Sequence, residues 1–236
     1  MKRIFFLTGT LLFATVAVAQ SNRSTDGDGA SVSNDISLSA TGNNAYGSST
    51  TFYNPPRPIE GSVHLWDTWK NTAVIHTSDE QKFLLKNINL NLKRNTFESQ
   101  IEDDQIFTFN FNNIDRFVVN NKVYKNFYWD DDNKVYQVIY ENDAYQILKG
   151  FNLTLVEGSA NPMLGRKNDR YVKKEHYYIR QEGKIKSFKL KKSKILKLVG
   201  GDDAKADMLE EYAKRNDLSF KKENDVQKIL DYSAKN

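Results

Sequence analysis

The stretch "KVYKNFYWDDDNKVYQVIY" (residues 122–140) decides how the chain reads. Two runs in which polar residues alternate with aromatic and β-branched ones flank "DDDN" (130–133). The alternation has the two-residue period of a strand. Asp and Asn bond to nearby backbone and tolerate left-handed angles, so the acidic cluster is a turn. The unit predicts an antiparallel hairpin.

Working outward, the same texture runs from Ser62 to Leu190. "VHLWDTW", "TAVIHT", "KFLLKNINLNL", "TFESQI", "IFTFNF" and "DRFVVNN" precede the hairpin, and "YQILKGFNLTLVE" follows it. "GSANPMLGRKND" (158–169) is a loop, and "EHYYIRQ", Glu182-Gly183, "KIKSFKL" is a further hairpin. Short links favour antiparallel neighbours, because parallel crossovers need a dozen or more residues. "LLKNINLNL" (84–92) and "ILKGFNLTL" (147–155) read almost alike. The match favours one sheet device used twice, each a hairpin ending in a long strand; an ancient duplication is the alternative.

After residue 192 the period changes to that of helices. Ile195, Leu196 and Val199 form a short stripe behind Ser193 as N-cap. Ala204, Met208, Leu209, Tyr212 and Ala213 form a second stripe, and Val226, Ile229, Leu230 and Ser233 a third. Acidic residues lead the second helix and Lys214-Arg215 close it, as the helix dipole favours. The fold class is therefore α+β: a mainly antiparallel curved meander, either open or partly closed into a barrel, with two to three C-terminal helices (193–236).

Residues 1–19 read as a signal peptide. Lys2 and Arg3 precede an apolar run ending in Ala17-Val18-Ala19, so the mature chain starts at Gln20. No later segment is apolar and long enough to span a membrane. Residues 20–59 are rich in Ser, Asn, Gly and Thr and read as a disordered linker, closed by "NPPRP". Residues 60–236 are a single domain. There is no cysteine, so the fold rests on its core alone.

"VAVAQ", the strand pair around "YQILKGFNLTLVEG" and the tail "KILKLV…MLEEYAKRNDLSFKKENDVQKILDYSAKN" resemble a group of uncharacterised secreted β-rich proteins of Bacteroidota. The resemblance implies export from a bacterial cell, to the periplasm, the outer membrane or the exterior. It implies no activity.

Catalytic chemistry is hard to assemble from these residues. The histidines are His64, His76 and His176, with no nucleophile elbow. A hydrolase using His64 or His76 is the least favoured reading, and zinc would want closer ligands. Glu102-Asp103-Asp104 and Asp130-Asp131-Asp132 are better turns than acid–base pairs. No cofactor is expected. Two features point to binding instead. Trp66, Trp69 and Trp129 are candidate contact residues; Trp66 and Trp69, three apart in a strand, would face opposite ways. Residues 166–197 hold 13 basic and 3 acidic residues. Within them Lys184, Lys186, Lys189, Lys191 and Lys192 could grip an anionic glycan or lipid, or could protect a sheet edge. Export argues against nucleic acid. The expectation is an exported, non-enzymatic protein that meets an envelope protein partner, with an anionic glycan or lipid as the alternative ligand.

Overall fold

The computed structural model describes residues 43–44, 47–51, 59–158, 168–200 and 203–235. The signal segment 1–19 and most of the linker 20–59 lie outside them. The described strands are β1 (Asn43–Asn44), β2 (Gly47–Thr51), β3 (Ala73–Thr77), β4 (Lys82–Leu85), β5 (Ile88–Asn91), β6 (Thr96–Glu102) and β7 (Gln105–Phe109). There follow β8 (Ile114–Val119), β9 (Lys122–Trp129), β10 (Asp132–Glu141), β11 (Gln146–Val156), β12 (Arg170–Gln181) and β13 (Lys184–Phe188). Helices α1 (Lys192–Val199), α2 (Asp203–Arg215) and α3 (Glu223–Lys235) end the chain.

The strands form two antiparallel sheets. The small one runs β1-β2-β7-β6-β5 and the large one β13-β12-β11-β10-β9-β8-β3-β4. Two-residue turns drive the meander. Asn120-Asn121, Asp130-Asp131 and Glu182-Gly183 all have positive φ, the paired left-handed geometry that matches strand twist. Of the cluster at 130–133, Asp130 and Asp131 make the turn, while Asp132 and Asn133 already pair with Trp129 and Tyr128 in the ladder.

Both sheets are open, so of the two alternatives the partly closed barrel is the one the strand order does not support. Closure would bring β4 to β13. Instead the chain turns at Asn87, whose φ is 55°, and leaves β4 for the other sheet. The twin stretches therefore differ. Residues 84–92 cross from one sheet to the other, while 147–155 lie within a single eleven-residue strand. Leu90 is fully buried and its counterpart Leu153 only partly. Residues 47–51, inside the stretch read as a linker, pair with β7 from Gly47↔Phe109 to Thr51↔Gln105.

Cross-strand register shows how the large sheet is used. One row runs Phe83, Ile75, Phe117, Tyr124, Gln137, Lys149, Tyr177, Phe188. Its β4–β9 end joins the core made with the small sheet, where Phe97 stacks on Phe117 at 4.2 Å. Its β12–β13 end packs under the helices, with Ile147, Ile179, Ile195, Val226 and Leu230. One face of the sheet thus carries two cores, with Gln137 and Lys149 between them.

The helices fall where their stripes predict. Leu209 and Ala213 of α2, and Val226, Ile229, Leu230 and Ser233 of α3, are buried. Tyr212 and Tyr232 stack between the two helices at 3.9 Å. Ser193 is not the cap: α1 starts at Lys192, and Lys191 holds the N-cap position without a side-chain bond. "VHLWDTW" is not a strand either. Its one bridge is His64↔Asn91, where Leu65 N–H donates to Leu90 and Leu92 N–H to Val63 along the edge of β5.

Candidate interaction surface

The opposite face of the large sheet carries its own row. Leu84, Val74, Val118, Val123, Val138, Leu148 and Tyr178 are successive cross-strand partners from β4 to β12. Every member is apolar or aromatic. Leu148 is fully buried, the four valines are partly covered, and Leu84 is 38 % exposed. Among the described residues the cluster on this face is built from large-sheet strands: Tyr136, Leu148 and Ile185, with Phe127, Val138 and Tyr178 against them.

Gly150 holds the packing of that cluster together. A Cβ there would sit 2.9 Å from Tyr178 Cε2 and 3.0 Å from Tyr136 Cε1. The missing side chain lets the two rings close to 5.4 Å, edge to face, over the strand. Burial raises the Tyr136 phenol to about 12.

Beside the apolar row stand mostly cations. His76, paired with both Lys82 and Arg116, continues the neighbouring row, and Lys125 lies opposite Tyr136. Lys174 is opposite Asn152, and the Arg180 guanidinium lies 4.8 Å from the Phe127 ring. Two ion pairs answer them, Asp115 with Arg116 at 2.6 Å and Glu141 with Lys125 at 3.0 Å, and Glu80 stands beside His76 and Lys82. Burial, then Arg116 and Lys82, keep the His76 imidazole below its usual pKa. An apolar strip with a mainly basic margin results.

The tryptophans separate. Trp66 covers the core, 6.5 Å from Phe97 and 5.9 Å from Tyr124. Trp69 packs its edge on His64 at 4.6 Å. The two do not face opposite ways from a strand, because the 63–69 segment is a loop fastened by Asn89, which bonds Trp66 N–H and C=O. Trp129 alone of the three is exposed, at the tip of the β9–β10 hairpin.

The lysines separate too. Lys184 and Lys186 lie on β13, the edge of the large sheet, and line a recess with Asp143 and Glu182. Lys189 and Lys191 are exposed in the link to α1. Lys192 is held by Glu210 of α2 at 2.6 Å. Opposite charges thus interrupt the run that looks uniformly basic in sequence.

Two buried polar clusters remain. Glu98, with 2 % of its side chain exposed, accepts from Asn91 and Arg94 and meets His64 Nε2 at 2.8 Å. Ser62 Oγ is 3.4 Å from His64 Nδ1 but already accepts the His64 backbone N–H. This arrangement clamps the 62–69 loop to the small sheet. The histidines His64 and His76 are far from one shared site: the first faces Glu98, the second Arg116. In the gap between the cores, Lys149 meets Glu175 at 2.7 Å and Glu223 at 2.9 Å, and Tyr177 donates to Glu223 at 2.7 Å. Among the described residues no group of three His, Asp or Glu side chains is placed to hold a metal ion.

The sequence reading missed the apolar row, although a signal was present. Val135, Tyr136, Val138 and Ile139 make β10 apolar on both faces. Strands of that kind belong to sheets covered on both sides.

No protein-family model matches the chain. No curated protein matches it and no solved structure matches it. Among the described residues no helix is long and apolar enough to cross a membrane.

Proposed function

We propose that the protein is an exported, non-enzymatic interaction component of the bacterial envelope that docks a partner protein on the outward face of the large sheet. The supporting observation is the apolar row crossing seven strands from Leu84 to Tyr178. Branched aliphatics that stay partly exposed along one sheet face gain burial when a partner covers them, and such strips mark interfaces. The basic margin selects the occupant: a protein presenting an apolar strip edged by carboxylates. Two copies of this chain would set like charges against each other. The test is a photo-crosslinking residue at Val123 in native cells, with Leu155, 44 % exposed on the other face, as control position. The reading expects one envelope protein, captured from Val123 alone and released by Val118→Asp. Self-crosslinking, no product, or equal capture from Leu155 would overturn it.

A second reading is an anionic glycan or lipid held by residues 184–194. Lys184, Lys186, Lys189 and Lys191 are exposed in its favour. Charge reversal at Lys189 and Lys191 should then abolish binding of anionic vesicles; unchanged binding removes the reading.

A further inference from the structure

A separate recess of about 530 Å³ lies where the β5–β6 turn meets the tip of the β9–β10 hairpin and the middle of β11. Asn95 fixes this meeting. Its amide donates to Asn133 C=O at 3.0 Å, and its side-chain oxygen accepts from Val135 N–H at 3.1 Å. The turn that carries Lys93 and Arg94 is thereby held against the strand that carries Lys134.

The lining has a consistent chemistry. Lys93, Arg94 and Lys134 supply three cations, against a single lining carboxylate, Asp132. Arg94 is already shared with Glu98 at 3.2 Å. Lys134 is partly buried, and its ammonium donates to the Asn152 side-chain oxygen at 2.7 Å rather than to a carboxylate. A partly buried ammonium that donates to an amide oxygen keeps further N–H groups for an incoming anion. Burial lowers the Lys134 pKa, with Asp132 opposing.

The remaining surfaces suit a ring bearing hydroxyls. The Asn152 and Asn133 oxygens are occupied by Lys134 and Asn126, which leaves their amide nitrogens to donate. Phe151 and Leu153 contribute apolar floor. Next to the recess, Trp129 is the cross-strand partner of Asp132; Tyr128, its neighbour in the strand, alternates to the other face and its hydroxyl donates to Asp131. Tyr128 is 65 % and Trp129 37 % exposed. Exposed aromatic faces beside amide donors are the surfaces that stack on sugars.

We infer that this recess binds an acidic saccharide. Lys134, assisted by Lys93, holds its carboxylate or phosphate; Asn133 and Asn152 hold its hydroxyls; Trp129, at the tip of the same hairpin, covers a ring face. The site shares no residue with the apolar row, so it stands or falls apart from the docking reading.

The experiment is calorimetric titration of the full chain with trigalacturonic acid as the carboxylated probe, glucose 1-phosphate as the phosphorylated probe and maltotriose as the neutral control. One anionic probe should bind saturably, at least tenfold more tightly than maltotriose, and weaken as salt rises. Which one binds assigns the anionic group. Lys134→Met should reduce affinity at least tenfold, and Trp129→Ala severalfold. Lys93→Glu is exposed and leaves the fold alone, so it provides an independent loss. Equal binding of maltotriose, no binding of either anionic probe at millimolar concentration, or wild-type affinity in both lysine variants would overturn the assignment.

Discussion

Lys149 of β11 and Glu223 at the start of α3 meet at 2.9 Å in the gap between the two cores. The contact ties the C-terminal helices to the centre of the large sheet. Burial alone would raise the Glu223 carboxyl, but the Tyr177 hydroxyl and the Lys149 ammonium outweigh it and hold the group below the usual range. Burial would lower Lys149, and its two carboxylates outweigh that in turn.

The pH dependence follows from those directions. A lowered carboxylate stabilises the fold above its unfolded pKa, and the contribution is lost as pH falls through the folded value. A raised lysine stabilises below its unfolded pKa, and its contribution is lost as pH rises through the folded value. Glu223→Gln should therefore be less stable than wild type at neutral pH, with the difference closing below about pH 4. Lys149→Met should cost about 3 kcal/mol, the low end for a broken buried pair, because Glu175 can turn to water. Urea midpoints measured across pH check both.

Gly150→Ala should destabilise by about 1–3 kcal/mol, because the added Cβ meets Tyr136 and Tyr178 ring carbons at van der Waals overlap. Near-ultraviolet circular dichroism should report the displaced tyrosines. In a Tyr178→Ala background the cost of Gly150→Ala should be smaller, whereas a backbone cause would leave that cost unchanged.

Glu98→Ala should be among the most damaging single changes, at about 3–5 kcal/mol, since it leaves His64, Asn91 and Arg94 facing a buried void. Glu98→Gln keeps the shape and should lose less. The released 62–69 loop should become a site of proteolytic cleavage in the alanine variant.

Asn121→Gly should stabilise by about 1 kcal/mol or less. Residue 121 has φ 62°, and the change makes the β8–β9 turn Asn-Gly, the pair best suited to two left-handed residues. Thermal unfolding gives the answer directly.

Much of this architecture is legible from local patterns. The hairpin at 122–140 is read from alternation and an Asp/Asn turn, and the α3 stripe Val226, Ile229, Leu230, Ser233 matches its buried set. What escaped depends on distant partners. Asn87 carries no mark distinguishing a sheet crossing from a bend. His64 reads as a strand residue because its environment, Glu98 and Trp69, lies elsewhere or in a loop. The cationic recess gathers Lys93, Lys134 and Asn152 from three elements, and no window of sequence contains them together. The basic run shows the converse: adjacency in sequence suggested one patch, and the fold distributes its described residues, 168–197, over an interior strand, an edge strand, a link and a helix start.

The gap between the two cores makes the chain modular. The small sheet and β3–β9 bury their aromatics without help from the helices, and the helices bury theirs against β10–β12. Tension applied to the C-terminus should peel the helical part first, while the hydrophobic interior on the other side of Lys149 stays closed. A mechanical pull through the tail would thus be absorbed as partial unravelling, a fuse that yields before the outward strand rows lose their spacing.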